Sequence, residues 1–161
     1  AVAPATLKRY LDLLQALYVV FTVRPWPKTI GRAILQTPKV YFFDSGVVKG
    51  DDGIRFENAV AAMLLKHVHF LQDSQGKAVG LHYLRTKDGA EVDFALSDNQ
   101  ELTHLIECKW ADAAPHRALK RFAEQFPQAE AVQLVRDLRQ YEFRAPLRIT
   151  HAADWLAHLA A

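Results

Sequence analysis

The chain has 161 residues, half of them hydrophobic and about a quarter charged, with a formal net charge of +2; that is globular material for one domain, or one domain and part of another. No apolar run reaches the roughly 20 residues of a membrane helix, so no helical membrane span is expected, and no secretory leader pattern is read in the sequence. The single cysteine, Cys108, excludes an internal disulfide framework and a cysteine zinc cluster, and points to a reducing, cytoplasmic compartment.

The sequence starts at Ala1 and enters a helix pattern almost at once, so further domains are expected upstream. "ATLKRYLDLLQALYVV" places Leu7, Tyr10, Leu11, Leu14, Leu17 and Tyr18 at helix spacing, with Thr6 as N-cap. "YVVFTV" has strand composition and is stopped by "RPWP". "KTIGRAILQTP" reads as loop with a short helical turn, and "KVYFF" as a second strand ended by "DSG". Helix, strand, long turn, strand is the order of the last helix and wing of a winged helix-turn-helix; a small packing unit without a ligand has the same order. This part is basic. Residues 1–50 carry seven basic and two acidic residues, against thirteen and sixteen in residues 51–161. Lys8, Arg9, Arg24 and Lys28 are therefore candidate contacts to a DNA backbone, the alternative being solvated surface charge. Trp26, between Arg24 and Lys28, either touches nucleic acid or pins the hairpin to a neighbour.

"GVVKGDDG" is a loop and the expected boundary, giving a partial winged-helix-like segment over 1–48 and a second domain over 49–161. "IRFENAVAAMLLKHVHFL" is a helix with Phe56, Val60, Met63, Leu64 and His67 on one stripe, and Asp51 and Asp52 near its start. "VGLHYLRT", "AEVDFAL" and "LTHLIECKW" are strands separated by turns at "KDG" and "SDNQE". "PHRALKRFAEQFP" is a helix with Pro115 near its first turn and Pro127 beyond its end. "AVQLVR" is a buried strand, "YEFRAPLRIT" an edge strand interrupted by Pro146, and "HAADWLAHLAA" a closing helix. The fold class is α/β (α+β), with the order α-β-β-β-α-β and a terminal helix. No Walker loop is present, so this stretch should not itself bind a nucleoside triphosphate.

Three charged residues interrupt the apolar strands. Alternation puts Glu91, Asp93 and Ala95 on one face of "EVDFAL", and Leu105, Glu107 and Lys109 on one face of "LIECKW". With a turn centred near Asn99 and Gln100, Asp93 falls opposite Ile106 or Glu107, and register or a bulge decides which. If the carboxylates meet they repel, and a hard divalent cation such as Mg²⁺ or Mn²⁺ relieves the conflict while keeping sites for water and phosphate oxygens. Asp93, Glu107 and the backbone carbonyl of Cys108 are the candidate ligands, Glu57 on the preceding helix closes the site, and Lys109 orients water or neutralises charge. That is the equipment of a phosphodiester hydrolase. The competing reading is a solvated ion-pair face, in which such pairs contribute well under about 1 kcal/mol each.

Glu57 on the first helix, Asp93 on the second strand and "ECK" (Glu107-Cys108-Lys109) on the third resemble the PD-(D/E)XK nuclease superfamily, which includes restriction endonucleases and archaeal Holliday-junction resolvases. The resemblance covers roughly residues 54–136 and implies a restriction endonuclease-like core. The proline that often precedes the aspartate is replaced by Val92. Arg85, in "YLRTKDGAEVDF", adds a basic residue at the same edge. Over nearly the whole chain, "TLKRYLDLLQALYVV", "PKVYFFDSGVV", "FENAVAAMLL", "YLRTKDGAEVDFAL" and "LIECKW" resemble a bacterial and archaeal family with an AAA-type ATPase domain in front and a C-terminal domain of unknown function behind. This implies an upstream ATPase as partner, and either a DNA-cutting module or an inactive one that binds DNA or protein.

The remaining candidates are weaker. His67 and His69 are two apart on a helix and diverge. Cys108 should face the core as a small hydrophobe, and Glu91 is expected as a neighbour on the charged face.

Overall fold

The computed structural model of the chain describes residues 3–27, 37–111, 114–139 and 142–159. Lys28 and most of "KTIGRAILQTP" lie outside these residues. Helix α1 (Pro4–Ala16) leads into strands β1 (Val20–Pro25) and β2 (Lys39–Phe42), then a 3₁₀ turn (Ser45–Val47). Helix α2 (Asp52–Gln75) is followed by β3 (Val79–Arg85), β4 (Glu91–Asp98), β5 (Glu101–Lys109), α3 (Arg117–Gln125) and β6 (Glu130–Val135). A hairpin of β7 (Glu142–Arg144) and β8 (Leu147–His151) and the short α4 (Ala152–Leu156) close the order.

The described strands form one mixed sheet in the order β2-β1-β3-β4-β5-β6-β8-β7. β3, β4 and β5 are antiparallel neighbours, whereas β5–β6 and β6–β8 are parallel. The β5–β6 crossover is made by α3, as a parallel pair requires. β1 and β2 pair antiparallel, and the end of β1 pairs parallel to β3 through Arg24 with His82 and Pro25 with Tyr83. The front hairpin thus extends the sheet.

Each face of the sheet carries its own core. On one, Val60, Leu64 and Val68 of α2 pack with Phe94, Ile106, Val132 and Leu134. On the other, Leu119, Phe122 and Ala123 of α3 pack with Val92, Ala95, Leu105 and Ala131. A strand covered on both sides reads as a continuous apolar run, which is why β6, after its exposed Glu130, runs "AVQLV" with all five residues buried. Each large side chain buried this way contributes roughly 2 kcal/mol.

Several expectations are corrected. α1 begins at Pro4 with Ala3 as its N-cap, because proline is preorganised for the first turn; Thr6 is inside the helix. None of its residues is buried, and Leu7, Tyr10 and Leu17 are exposed. The buried stripe of α2 is Val60, Ala61, Leu64 and Val68, while Met63 is half exposed, a rotation of about one residue from the expected face. Trp26 is buried, edge-on to His82 at 4.8 Å, in the α3-side core. Pro146 sits in the turn of a β7–β8 hairpin instead of interrupting one edge strand, and β8 lies inside the sheet against β6. The closing helix is five residues long. No described helix is long and apolar enough to cross a membrane.

Candidate functional site

Two irregularities in β4 and β5 build the site. The β4–β5 turn is Asn99-Gln100, both at positive φ (46° and 63°), the two-residue turn whose twist suits a hairpin. Asp98 pairs with Glu101 and Ser97 with Leu102, but Leu96 pairs with His104. Thr103 is therefore a bulge, and its hydroxyl donates to the Leu96 carbonyl at 3.2 Å. Beyond it Ala95 faces Leu105 and Phe94 faces Ile106, which leads β4 on toward the Glu107 end of β5, where Asp93 and Glu107 line one cleft.

A second shift, on the other edge of β4, pairs His82 with Ala95 but Leu84 with Val92. Val92 and Ala95 consequently share the α3-side core while Phe94 and Leu96 are in the other. This corrects the simple alternation expected for "EVDFAL": Val92, not Glu91 and Asp93, is on the Ala95 face. The break turns Glu91 and Asp93 toward α2 and β2, where both meet the Lys39 ammonium.

That ammonium is the centre of a tight cluster. Lys39 Nζ lies 2.6 Å from Glu91 Oε1, 3.3 Å from Asp93 Oδ1 and 3.3 Å from Glu57 Oε1. Glu57 also accepts a 2.6 Å hydrogen bond from the Tyr41 hydroxyl. Asn58, buried on α2, accepts from the Phe42 N–H at 2.8 Å and donates to the Phe42 carbonyl at 2.9 Å and to Ser45 Oγ at 3.0 Å, which fastens β2 to α2. Arg85, half exposed, reaches Glu91 at 3.5 Å.

Asp93 joins this cluster to a second one. Its Oδ2 accepts the Cys108 N–H at 3.0 Å, and Cys108 itself packs against the α2-side core. On the same strand Glu107 is buried, 3% exposed. Its Oε1 lies 2.9 Å from Lys109 Nζ and 3.2 Å from His116 Nδ1. Its Oε2 is buried with no hydrogen-bond partner among the described residues, an expensive state for a carboxylate. His116 is held by Gln133, fully buried on β6, which accepts the His116 N–H and donates to the Ala114 carbonyl, both at 2.8 Å.

The charges respond as burial and neighbours dictate. Burial and the nearby carboxylates of Glu107 and Glu57 push Asp93 up to about 7, against the pull of Lys39 and the Cys108 N–H. Burial also opposes the Glu107 charge, but His116 and Lys109 outweigh it and hold that carboxyl below its usual range. Burial disfavours the Lys39 ammonium, yet Asp93, Glu57 and Glu91 together raise its pKa. Burial and the adjacent carboxylates push the Cys108 thiol well up, which disfavours the thiolate.

A cleft of about 610 Å³ opens over Glu91, Asp93 and Glu107, walled by His116, Arg117 and Arg121. Among the described residues no three His, Cys, Asp or Glu side chains are gathered closely enough to hold a metal ion by themselves. Magnesium needs fewer: one or two carboxylates, with waters and phosphate oxygens completing its shell. The orphaned Glu107 oxygen and the adjacent Asp93 fit that donor set. Lys8, Arg9 and Arg24 are exposed on α1 and β1, and Lys28 lies outside the described residues.

Sequence reasoning missed Lys39, Tyr41, Asn58, His116, Gln133 and the two arginines. One signal was present: Lys39 and Tyr41 stand two apart on a short apolar strand, so both point one way. His116 becomes visible only once the β5–α3 connection is known to fold back over Glu107.

Residues 52–153 match the model for a domain of unknown function, DUF4143. The chain belongs to that family. Residues 1–54 match a second domain of unknown function, DUF8612. Neither a curated protein nor a solved structure matches the chain. For this member of the DUF4143 family the site's own chemistry is the guide to function.

Proposed function

We propose that this chain is a nuclease-like module that hydrolyses phosphodiester bonds in DNA with a divalent metal ion, Mg²⁺ or Mn²⁺. The observation that carries the reading is the juxtaposed Asp93 and Glu107, with a buried Glu107 oxygen that has no partner among the described residues, at the floor of a cleft walled by His116, Arg117 and Arg121. The α-β-β-β-α-β order of α2 to β6 supports the likeness to the PD-(D/E)XK superfamily. Asp93, Glu107 and the Cys108 carbonyl would hold the ion, which when bound supplies charge stabilisation at the phosphate and a more acidic water. Lys109, 2.9 Å from Glu107, would present an ammonium to the attacking water or the phosphate. His116 fixes the Glu107 carboxylate, and the arginines offer forked donors to phosphate oxygens. Glu57 is held back by Tyr41 and Lys39 and acts on Asp93 through its charge. Lys8, Arg9, Lys28, Arg24 and Arg85 would bear on the DNA backbone, and an upstream AAA-type ATPase would deliver the substrate.

Incubation with plasmid, branched and single-stranded DNA in Mg²⁺ or Mn²⁺ tests this. Cleavage is expected, with Asp93→Ala and Glu107→Ala each reducing it by a hundredfold or more. No cleavage of any substrate, or cleavage indifferent to Asp93, refutes it.

A second reading has its own support: the Lys39 ammonium already neutralises three carboxylates. In that reading the module binds DNA or protein for the ATPase without cutting, and DNA binding is salt-dependent and indifferent to Asp93 and Glu107.

A further inference from the structure

We propose that Lys39 is a tethered cation that competes with a divalent ion for Asp93 and sets how tightly this chain takes a metal. The inference rests on the metal-dependent reading above and adds a resident competitor to that site.

The placement of the ammonium carries it. Three carboxylates from two elements, Glu57 of α2 and Glu91 and Asp93 of β4, converge on one Nζ at 2.6–3.3 Å. The rings of Tyr83 and Phe94 close the position, 5.6 and 5.9 Å from the same atom. The backbone that delivers it is fixed from both sides. Lys39 pairs with Val23 of β1, and Asn58 clasps Phe42 three residues on.

Asp93 is the shared ligand. Its Oδ1 faces Lys39 and its Oδ2 the Cys108 N–H, so Asp93 cannot bind a divalent ion through Oδ1 while the ammonium stays. An independent observation points to a further cation: Glu107 Oε2, on the neighbouring strand, is buried with no partner among the described residues, beyond the contacts Lys39 makes. The ammonium therefore satisfies half of the acidic group and leaves the other half waiting. Its flexible four-carbon stem lets it leave while the backbone stays in place. The two cations repel, so a divalent ion at Asp93 expels the lysine head from the cluster, and a chain without that head accepts the ion more tightly.

Mn²⁺ binding, followed by calorimetry and by the electron paramagnetic resonance of free Mn²⁺, tests the idea in the wild-type chain, Lys39→Met, Lys39→Arg and Lys39→Met/Asp93→Asn. Lys39→Met is expected to bind at least tenfold more tightly than wild type, Lys39→Arg within about threefold of it, and the double variant to lose the gain. Equal affinity of Lys39→Met and wild type, with binding still dependent on Asp93, overturns the competitor role and leaves the metal site standing. Absence of Mn²⁺ binding in every form overturns the metal reading and this inference together. Removing the ammonium leaves three facing carboxylates and can cost the fold, so a second measurement uses the wild-type chain. Reductive methylation of Lys39, read by peptide mass spectrometry, is expected to be slow without metal and at least fivefold faster in saturating Mn²⁺. A rate that Mn²⁺ leaves unchanged overturns the proposal.

Discussion

A carboxylate at position 93 has burial and two like charges against it, and one ammonium and one N–H in its favour. The balance raises its pKa from 3.8 to about 7, and this has a consequence for stability. Between those values the unfolded chain gives up the Asp93 proton while the folded chain keeps it, so unfolding releases a proton and stability falls as pH rises. Below about 4 both states hold the proton and the penalty is absent; above about 7 neither does, and it is complete. Each tenfold change in proton affinity is about 1.4 kcal/mol, which makes the penalty a few kcal/mol. Asp93→Asn removes it while keeping an acceptor for the Cys108 N–H. Thermal melts should therefore show Asp93→Asn more stable than wild type at pH 8, by on the order of 5 °C, with a smaller gain at pH 5. A gain that does not grow with pH would show that Asp93 is an ordinary ion-pair partner. Asp93, Glu107 and Lys109 were legible in the sequence because charge inside an apolar strand is conspicuous. Lys39 was not, because it lies 54 positions from Asp93 and only tertiary folding brings them together.

At the scale of elements, the site depends on how the β5–α3 connection is held. Gln133 lies in the middle of a buried strand, where a glutamine is costly unless both its amide groups are paired. Here both are, to the backbone of Ala114 and His116, and His116 is thereby held beside Glu107. Gln133→Leu keeps the volume but removes the hydrogen bonds to the His116 N–H and the Ala114 carbonyl. Denaturant unfolding should register a loss of about 2–4 kcal/mol, and DNA cleavage should fall beyond what that loss explains, since His116 is released from Glu107. A loss under about 0.5 kcal/mol would show that the loop does not rely on this side chain.

The order of the elements was legible for a related reason. Period-2 and period-3.6 patterns are strong where a strand or helix has one buried face, as in α3. They say nothing about bulges, and the bulges at Thr103 and beside Asp93 decide which charges meet. The β8 strand was misplaced at an edge because Pro146 reads as an interruption whether it ends a strand or turns a hairpin.

For the molecule as a whole, the sheet joins two otherwise separate chemical regions. The basic front contributes β2, whose Lys39 reaches into the acidic centre of the second part, so the hairpin and the carboxylates form one electrostatic unit. This was not legible, since the composition of the front suggested only an outward-facing basic surface. The exposed apolar side of α1, with Leu7, Tyr10 and Leu14, is a surface with no described neighbour, whereas the cleft over Asp93 and Glu107 has a chemistry that a small ion can report. Crystals soaked in Mn²⁺ and measured at the manganese absorption edge test the account most directly. It predicts one anomalous peak between Asp93 and Glu107, within about 2.0–2.3 Å of a carboxylate oxygen of each, with the Lys39 ammonium displaced from Asp93. A map without that peak at saturating Mn²⁺, with Lys39 still seated among Glu57, Glu91 and Asp93, would contradict it.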